Sequence, residues 1–172
     1  LPVIMSTGMA TQNEVSQALT ALELAGMPRS MVTVLHCTTE YPCAMTDVNL
    51  NAMLTIRDKL DVKVGYSDHT LGIEVAIAAV ALGATVIEKH FTIDKGMEGN
   101  DHKVSLLPSE FKEMVKQIRE VEDAMGQASE RLITQGEMIN RETLAKSLVI
   151  NRQLIRGDLI TREMIEIKSP GQ

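Results

Sequence analysis

Along the first three-quarters of the chain one pattern occurs four times: a short run of branched apolar residues, a polar loop, then a stretch with helical amphipathicity. The apolar runs are Val3-Ile4-Met5, Val32-Thr33-Val34-Leu35, Val62-Lys63-Val64-Gly65-Tyr66 and Thr85-Val86-Ile87-Glu88-Lys89-His90-Phe91. Their brevity and β-branched content predict strands. After the first run, Thr11 and Glu14 have the spacing of a capping box, Val15, Ala18, Leu19 and Leu22 share one helical face, and Gly26 supplies a stop. Further helices are predicted over 50–60, over 73–82 ending at Gly83, and over 109–125 ending at Gly126. The third of the four is apolar nearly all round, so it should be covered on several sides.

Strands alternating with helices imply parallel pairing through right-handed crossovers, in a doubly wound sheet or in a (βα)8-barrel. Four units are too few to close such a barrel. From Glu130 onward the repeat stops, and Ser147-Leu148-Val149-Ile150, Gln153-Leu154-Ile155 and Asp158-Leu159-Ile160 read as short strands of a different, β-rich module. The chain opens on Leu1, two residues before an apolar run, and reads as a fragment of a larger protein.

Composition narrows the partners. Among 172 residues, a net charge of -6 provides no basic field for a nucleic-acid backbone or an anionic membrane surface. Apolar stretches fall far short of the roughly 20 residues that span a bilayer, so the expected location is the cytoplasm. The two cysteines, Cys37 and Cys43, lack metal-ligand spacing and are expected to be reduced thiols.

In barrels of this kind the chemistry sits at the carboxyl ends of strands. Here those ends are polar: Ser6-Thr7-Gly8, His36-Cys37-Thr38-Thr39-Glu40-Tyr41-Pro42, Tyr66-Ser67-Asp68-His69-Thr70 and Glu88-Lys89-His90-Phe91. His69 and His90 close successive strands, which lie roughly 4.8 Å apart, so both imidazoles could reach one ion. The plainer alternative is that each histidine hydrogen-bonds a loop carbonyl. A strand-end lysine, Lys89, opens a Schiff-base reading, but alternation puts Lys89 on the face opposite His90 and puts Glu88 beside it. Ser6, Thr7, Gly8 and Ser67 offer donors for a phosphate or carboxylate, although a plain turn explains Ser-Thr-Gly equally well. His36 is expected to face the helices, and His102, in a polar loop, is expected to be solvent-exposed.

Taken together, Ser6-Thr7-Gly8-Met9-Ala10, the run from Leu35 to Pro42, Asp47-Val48-Asn49-Leu50, Gly65-Tyr66-Ser67-Asp68-His69-Thr70, Ile87-Glu88-Lys89-His90-Phe91-Thr92 and Gly99-Asn100-Asp101-His102 resemble the sialic acid synthase family in content, order and spacing. The resemblance implies an α/β fold: strands five to eight of a (βα)8 TIM barrel over residues 1–128, a linker over 129–145, and the truncated start of a small β-rich SAF (antifreeze-like) module over 146–172. It implies an enzyme condensing phosphoenolpyruvate with an N-acylated amino sugar, aided by Mn2+ or Mg2+, in a homodimer when complete and inactive as this fragment alone. It makes His69 and His90 metal ligands; Glu88, on the side of His90 by alternation, is the expected catalytic residue, orienting a ligand or binding substrate, with a structural ion pair to a strand-end neighbour as the plainer alternative. It also places Ser6 and Ser67 near phosphate, Thr39 near phosphoenolpyruvate, and Tyr41 and Asp101 near the sugar. Thr39 stands where relatives often have Asn or Ser, and Asn100 where many have Pro. The stretches Glu98 to Lys103 and Pro42-Cys43-Ala44-Met45 look more like the branch that makes legionaminic acid. A non-catalytic carbohydrate-binding protein is the alternative from another class.

Overall fold

The computed structural model describes residues 1–127 and 130–169. In chain order the elements are β1 (Val3–Ser6), α1 (Gln12–Leu24), β2 (Val32–Cys37), α2 (Asn51–Leu60), β3 (Lys63–Asp68), α3 (Glu74–Ala81), β4 (Ile87–Lys89), α4 (Asp101–Val104), α5 (Pro108–Met125), α6 (Gln135–Leu144), β5 (Ser147–Ile150) and β6 (Ile165–Lys168). They fall into two units, Leu1–Gly126 and Gln127–Gln172.

In the first unit the strands are parallel and stand in sequence order, β1-β2-β3-β4. A doubly wound sheet reverses its strand order at a switch point, and this sheet does not. Alternation along each strand sorts the side chains. Val32, Val34, Val64 and Tyr66 share one core with Val15 and Leu19 of α1, Met53, Ile56 and Leu60 of α2, and Val75 and Ala79 of α3. All three helices therefore cover the same face. The other face of α3 carries Ala76 and Val80 into a second core with Leu106, Met114 and Ile118, which explains why α3 has no polar side. Burying a side chain the size of Leu19 or Met53 contributes about 1.5–3 kcal/mol.

On the sheet's opposite face the same alternation leaves Ile4, Ser6, Thr33, Leu35, Cys37, Gly65, Ser67 and Glu88. Cover on one side only, in sequential parallel order, is the wall of a half-barrel. Ile4 on that wall is 58% exposed. Leu35 packs directly above Gly65, where a Cβ would come within 2.5 Å of its Cδ2.

Local chemistry sets the helix boundaries. The Thr11 N–H donates to Glu14 Oε2 at 2.7 Å and the Glu14 N–H donates to Thr11 Oγ1 at 3.4 Å, closing the predicted capping box. At α5 the Leu107 N–H donates to Glu110 Oε2 at 2.8 Å, and Pro108 occupies the first helical position, where its missing N–H costs nothing. The segment expected as a seven-residue strand, Thr85 to Phe91, is a strand only over Ile87–Lys89. Its flanks remain tied: the Thr85 N–H donates to the Val64 carbonyl, and the Leu106 N–H donates to the His90 carbonyl, each at 2.8 Å.

The second unit differs more from expectation. β5 and β6 pair antiparallel, Ser147 opposite Lys168 and Ile150 opposite Ile165. The runs 153–155 and 158–160 are not strands. They flank a turn in which the Asp158 N–H reaches the Ile155 carbonyl at 3.1 Å and Gly157 takes a φ of 105°, a conformation glycine adopts without strain. The stretch read as a linker contains α6. The boundary expected between residues 128 and 129 lies outside the described residues, as do residues 170–172. Among the described residues no helix is long and apolar enough to cross a membrane.

Candidate functional site

All four strand ends in the first unit bring polar side chains to the face away from the helices. At the end of β3 and β4, Ser67 is in register with Glu88, and the Ser67 hydroxyl donates to Glu88 Oε1 at 2.7 Å. Two residues further along the chain from each, His69 and His90 meet side by side: their ring centroids are 5.2 Å apart, edge to face. Tyr41, from the loop after β2, closes the group. Its ring lies 4.2 Å from that of His69 and 5.6 Å from that of His90.

His69 is held from three directions. Its Nδ1 faces the Thr38 carbonyl oxygen at 2.8 Å. A carbonyl oxygen only accepts, so Nδ1 is the donor of this bond, and Nε2 is the ring nitrogen left for a further partner. Its own carbonyl accepts from the Cys43 N–H at 3.0 Å, and Cys37 Sγ lies 3.9 Å from Nδ1. A carbonyl fixing one imidazole nitrogen so that the other is free is the outer-shell arrangement of metal-bound histidines. The plainer alternative left open by the sequence holds for His69, which bonds a loop carbonyl through Nδ1. Among the described residues no group of three or more His, Cys, Asp or Glu side chains gathers as a cage. The nitrogen donors suited to an ion here are His69 and His90, which leave most of a coordination sphere to other ligands.

The remaining predicted residues are distributed as follows. Thr39 is exposed and sits 4.0 Å from Cys37 Sγ through its hydroxyl. Asp101 begins α4 and is exposed. Its charge reaches Tyr41: the phenol is pushed above the ordinary tyrosine value, first by desolvation, then by the negative potential of Cys37, Asp101 and Glu88. Ser6 shares the sheet face, but its register through Leu35 to Gly65 puts it two strands away from Ser67 and two residues lower, roughly 10 Å across the sheet by strand spacing alone. The structure does not bring Ser6 into the cluster with the histidines. His36 faces the helix side as expected, with Nε2 2.8 Å from the Val48 carbonyl. His102 departs from expectation. It is half-buried, with Nδ1 2.8 Å from the Thr92 hydroxyl.

Lys89 does point away from His90. Its ammonium donates to Asp68 Oδ2 at 2.9 Å and to the Thr70 carbonyl at 2.5 Å, and both charged side chains are completely buried. An amine so engaged, on the helix side of the sheet, is not placed to attack a carbonyl in the barrel mouth. Sequence reasoning missed Asp68. The clue was present, because Asp68 and Lys89 immediately precede the two histidines and alternation gives them the same face.

Against known proteins, a model of the NeuB family matches residues 1–130. The chain is 46% identical over 168 residues to an N,N'-diacetyllegionaminic acid synthase of Campylobacter jejuni, covering 98% of this chain and 50% of that protein. It is 41% identical over 173 residues to a protein of the same name from Legionella pneumophila, covering 99% and 48%. Among solved structures, an N-acetylneuraminic acid synthetase from Leptospira borgpetersenii, crystallised with citrate, aligns with a TM-score of 0.72 at 35% identity, over 84% of this chain and 50% of that one. The chain spans about half the length of the curated relatives it matches.

Proposed function

The chain belongs to the NeuB family, and from that premise we propose that it forms strands five to eight of the catalytic barrel of a nonulosonic acid synthase. The reaction joins phosphoenolpyruvate, an N-acylated amino sugar and water into a nine-carbon 2-keto acid, releasing phosphate. The observation that carries this reading is the gathering of Ser67, Glu88, His69, His90 and Tyr41 at the carboxyl end of one half-barrel face. Residues 146–172 then begin the SAF module, and the complete protein is a cytoplasmic homodimer.

In this reading the carbon–carbon bond forms between the enol carbon of phosphoenolpyruvate and the sugar aldehyde, water adds at the neighbouring carbon, and the phosphate leaves. A divalent ion held by His69 and His90 supplies Lewis acidity when bound. Imidazole donors fit manganese better than magnesium, which favours oxygen ligands and gives up water reluctantly. Ser67 presents its hydroxyl to substrate phosphate or carboxylate, oriented by its bond to Glu88. Glu88, exposed on the side of His90, orients Ser67 and substrate, and the general base comes from outside these four strands. Thr39 and Ser6 add donors for phosphoenolpyruvate and its phosphate, Ser6 from the more distant β1 end. Tyr41 stays protonated well into alkaline solution, so its phenol donates a hydrogen bond to the sugar while Asp101 accepts one.

The sugar we assign is 2,4-diacetamido-2,4,6-trideoxymannose, the legionaminic acid precursor, supported by identities of 46% and 41% to proteins of that name. The 35% identity to an N-acetylneuraminic acid synthetase makes N-acetylmannosamine the second reading. Competition of the two sugars for limiting phosphoenolpyruvate in the complete enzyme, with products separated by mass, decides between them. Predominant N-acetylneuraminate rejects the branch, and sugar binding without phosphate release rejects catalysis. Metal-stripped His90→Ala enzyme restored with manganese should show no condensation but a parental circular dichroism spectrum. Near-parental activity in that variant overturns the ligand assignment.

A further inference from the structure

The buried ion pair behind the two histidines has no part in the chemistry described so far, yet its placement is specific. Lys89 and Asp68 are in register on adjacent strands, and each is the residue immediately before a histidine of the site. The Asp68 carboxylate is fully used: Oδ2 accepts from Lys89 Nζ at 2.9 Å, and Oδ1 accepts both the Thr70 N–H at 2.9 Å and the Thr70 hydroxyl at 2.8 Å. Lys89 then donates to the Thr70 carbonyl at 2.5 Å. Thr70 is 0% exposed. Together these bonds fold residues 68–70 into a closed turn with His69 at its middle, and fasten that turn to the residue next to His90.

We propose that Asp68 and Lys89 are positioning residues, a cross-strand clamp that fixes the separation of His69 and His90 and so tunes their affinity for a divalent ion. The inference rests on the reading of those histidines as the metal pair. Adjacent strands alone leave freedom at their ends, where the regular ladder stops: β3 ends at Asp68 and β4 at Lys89. Beyond the clamp, the His90 carbonyl is tied by the Leu106 N–H, and His69 by the Cys43 N–H at its carbonyl and the Thr38 carbonyl at its Nδ1, bonds that run to loops and not between the two histidines. A buried pair is a poor source of net stability, because desolvation offsets its attraction, and its better-attested use is in fixing one arrangement. Placing it one residue from both donors gives that arrangement a purpose.

Removing one partner alone strands a buried charge and risks unfolding, so the test uses two substitutions that avoid this. Asp68→Asn/Lys89→Met removes both charges, and Thr70→Val removes one bond to Asp68 at constant shape. Mn2+ alone is titrated into the metal-stripped complete enzyme, and free ion is read by electron paramagnetic resonance. Circular dichroism and thermal melting report the fold. The expected result is a folded double variant with Mn2+ affinity lowered about 10–100-fold, the usual effect of losing an outer-shell partner, and Thr70→Val shifted the same way by a smaller factor. A spectrum of bound Mn2+ that differs from the parent's marks altered ligand geometry, which a role in stability alone would not produce. Unchanged Mn2+ affinity in either folded variant overturns the clamp. If His90→Ala also binds Mn2+ as the parent does, the metal-pair reading itself has failed, and the clamp with it.

Discussion

At the scale of single residues, two buried positions carry consequences beyond the site. Gly65 faces the barrel interior, and a Cβ there would come within 2.4 Å of the Val86 carbonyl oxygen, the acceptor of the Tyr66 N–H at 2.9 Å. Gly65→Ala must therefore push β4 away from β3. A loss of about 1–3 kcal/mol is expected, as for overpacking elsewhere, measured as a lowered denaturation midpoint. An unchanged midpoint would show that the strands shift freely. Tyr66, 1% exposed, has its phenol pushed far above the ordinary tyrosine value, first by burial and then by the negative potential of Asp68. A raised folded value means that the folded state holds its proton longer than the unfolded chain. The associated stability is full below about pH 10, the unfolded tyrosine value, and falls as pH climbs above it. Tyr66→Phe should flatten that alkaline decline in denaturant unfolding, and identical slopes for variant and parent would contradict it. Gly65 was legible only as part of a motif. Its close approach to β4 depends on a neighbour twenty-one positions on, which no local pattern reveals.

At the scale of elements, the capped helix α6 yields a direct test. The Thr134 N–H donates to Glu137 Oε2 at 3.0 Å and Thr134 Oγ1 accepts from the Glu137 N–H at 3.2 Å. The Glu137 carboxyl lies below its usual range, with the Thr134 backbone bond the largest cause. Thr134→Ala should cost the helix about 1 kcal/mol, read as faster amide exchange over Gln135–Leu144 and nowhere in α1. This helix was the element least legible beforehand. Its residues Gln135, Glu137, Asn140, Arg141 and Glu142 carry little apolar periodicity, and only the Thr-x-x-Glu spacing marks its start. The opposite error occurred at 153–155 and 158–160, where apolar residues suggested strands, because runs of three cannot be told from turn flanks by hydrophobicity. The four strands of the first unit and its helices α1, α2, α3 and α5 were legible, since alternation of 2 and of 3.6 persists over many residues there, whereas the short α4 lies in a stretch that read as a polar loop. The histidine pair was legible from its place at strand ends. The Thr38 carbonyl and the Asp68 carboxylate that hold it were not, because both depend on chain segments meeting in space.

At the scale of the molecule, among the described residues β1 and β4 are the edge strands of the parallel sheet, with only a single bridge from Phe91 to Leu106 beyond β4, and the inner wall exposes Ile4. Open parallel edges and uncovered apolar wall recruit other chains. The isolated 172-residue chain should therefore scatter light as dimers or larger species and be inactive. A monomer with a single cooperative unfolding transition would refute this. The strand order has a different kind of consequence, one concerning synthesis. Because each strand lies beside the one made just before it, every βα unit leaving the ribosome finds its partner already formed. The loop closed at each step is about one unit long, so its entropic cost stays nearly constant as the chain grows. Assembly can thus keep pace with translation from the amino-terminal side, and the two histidines arrive on the last two strands of the series, after the wall that positions them has been laid down.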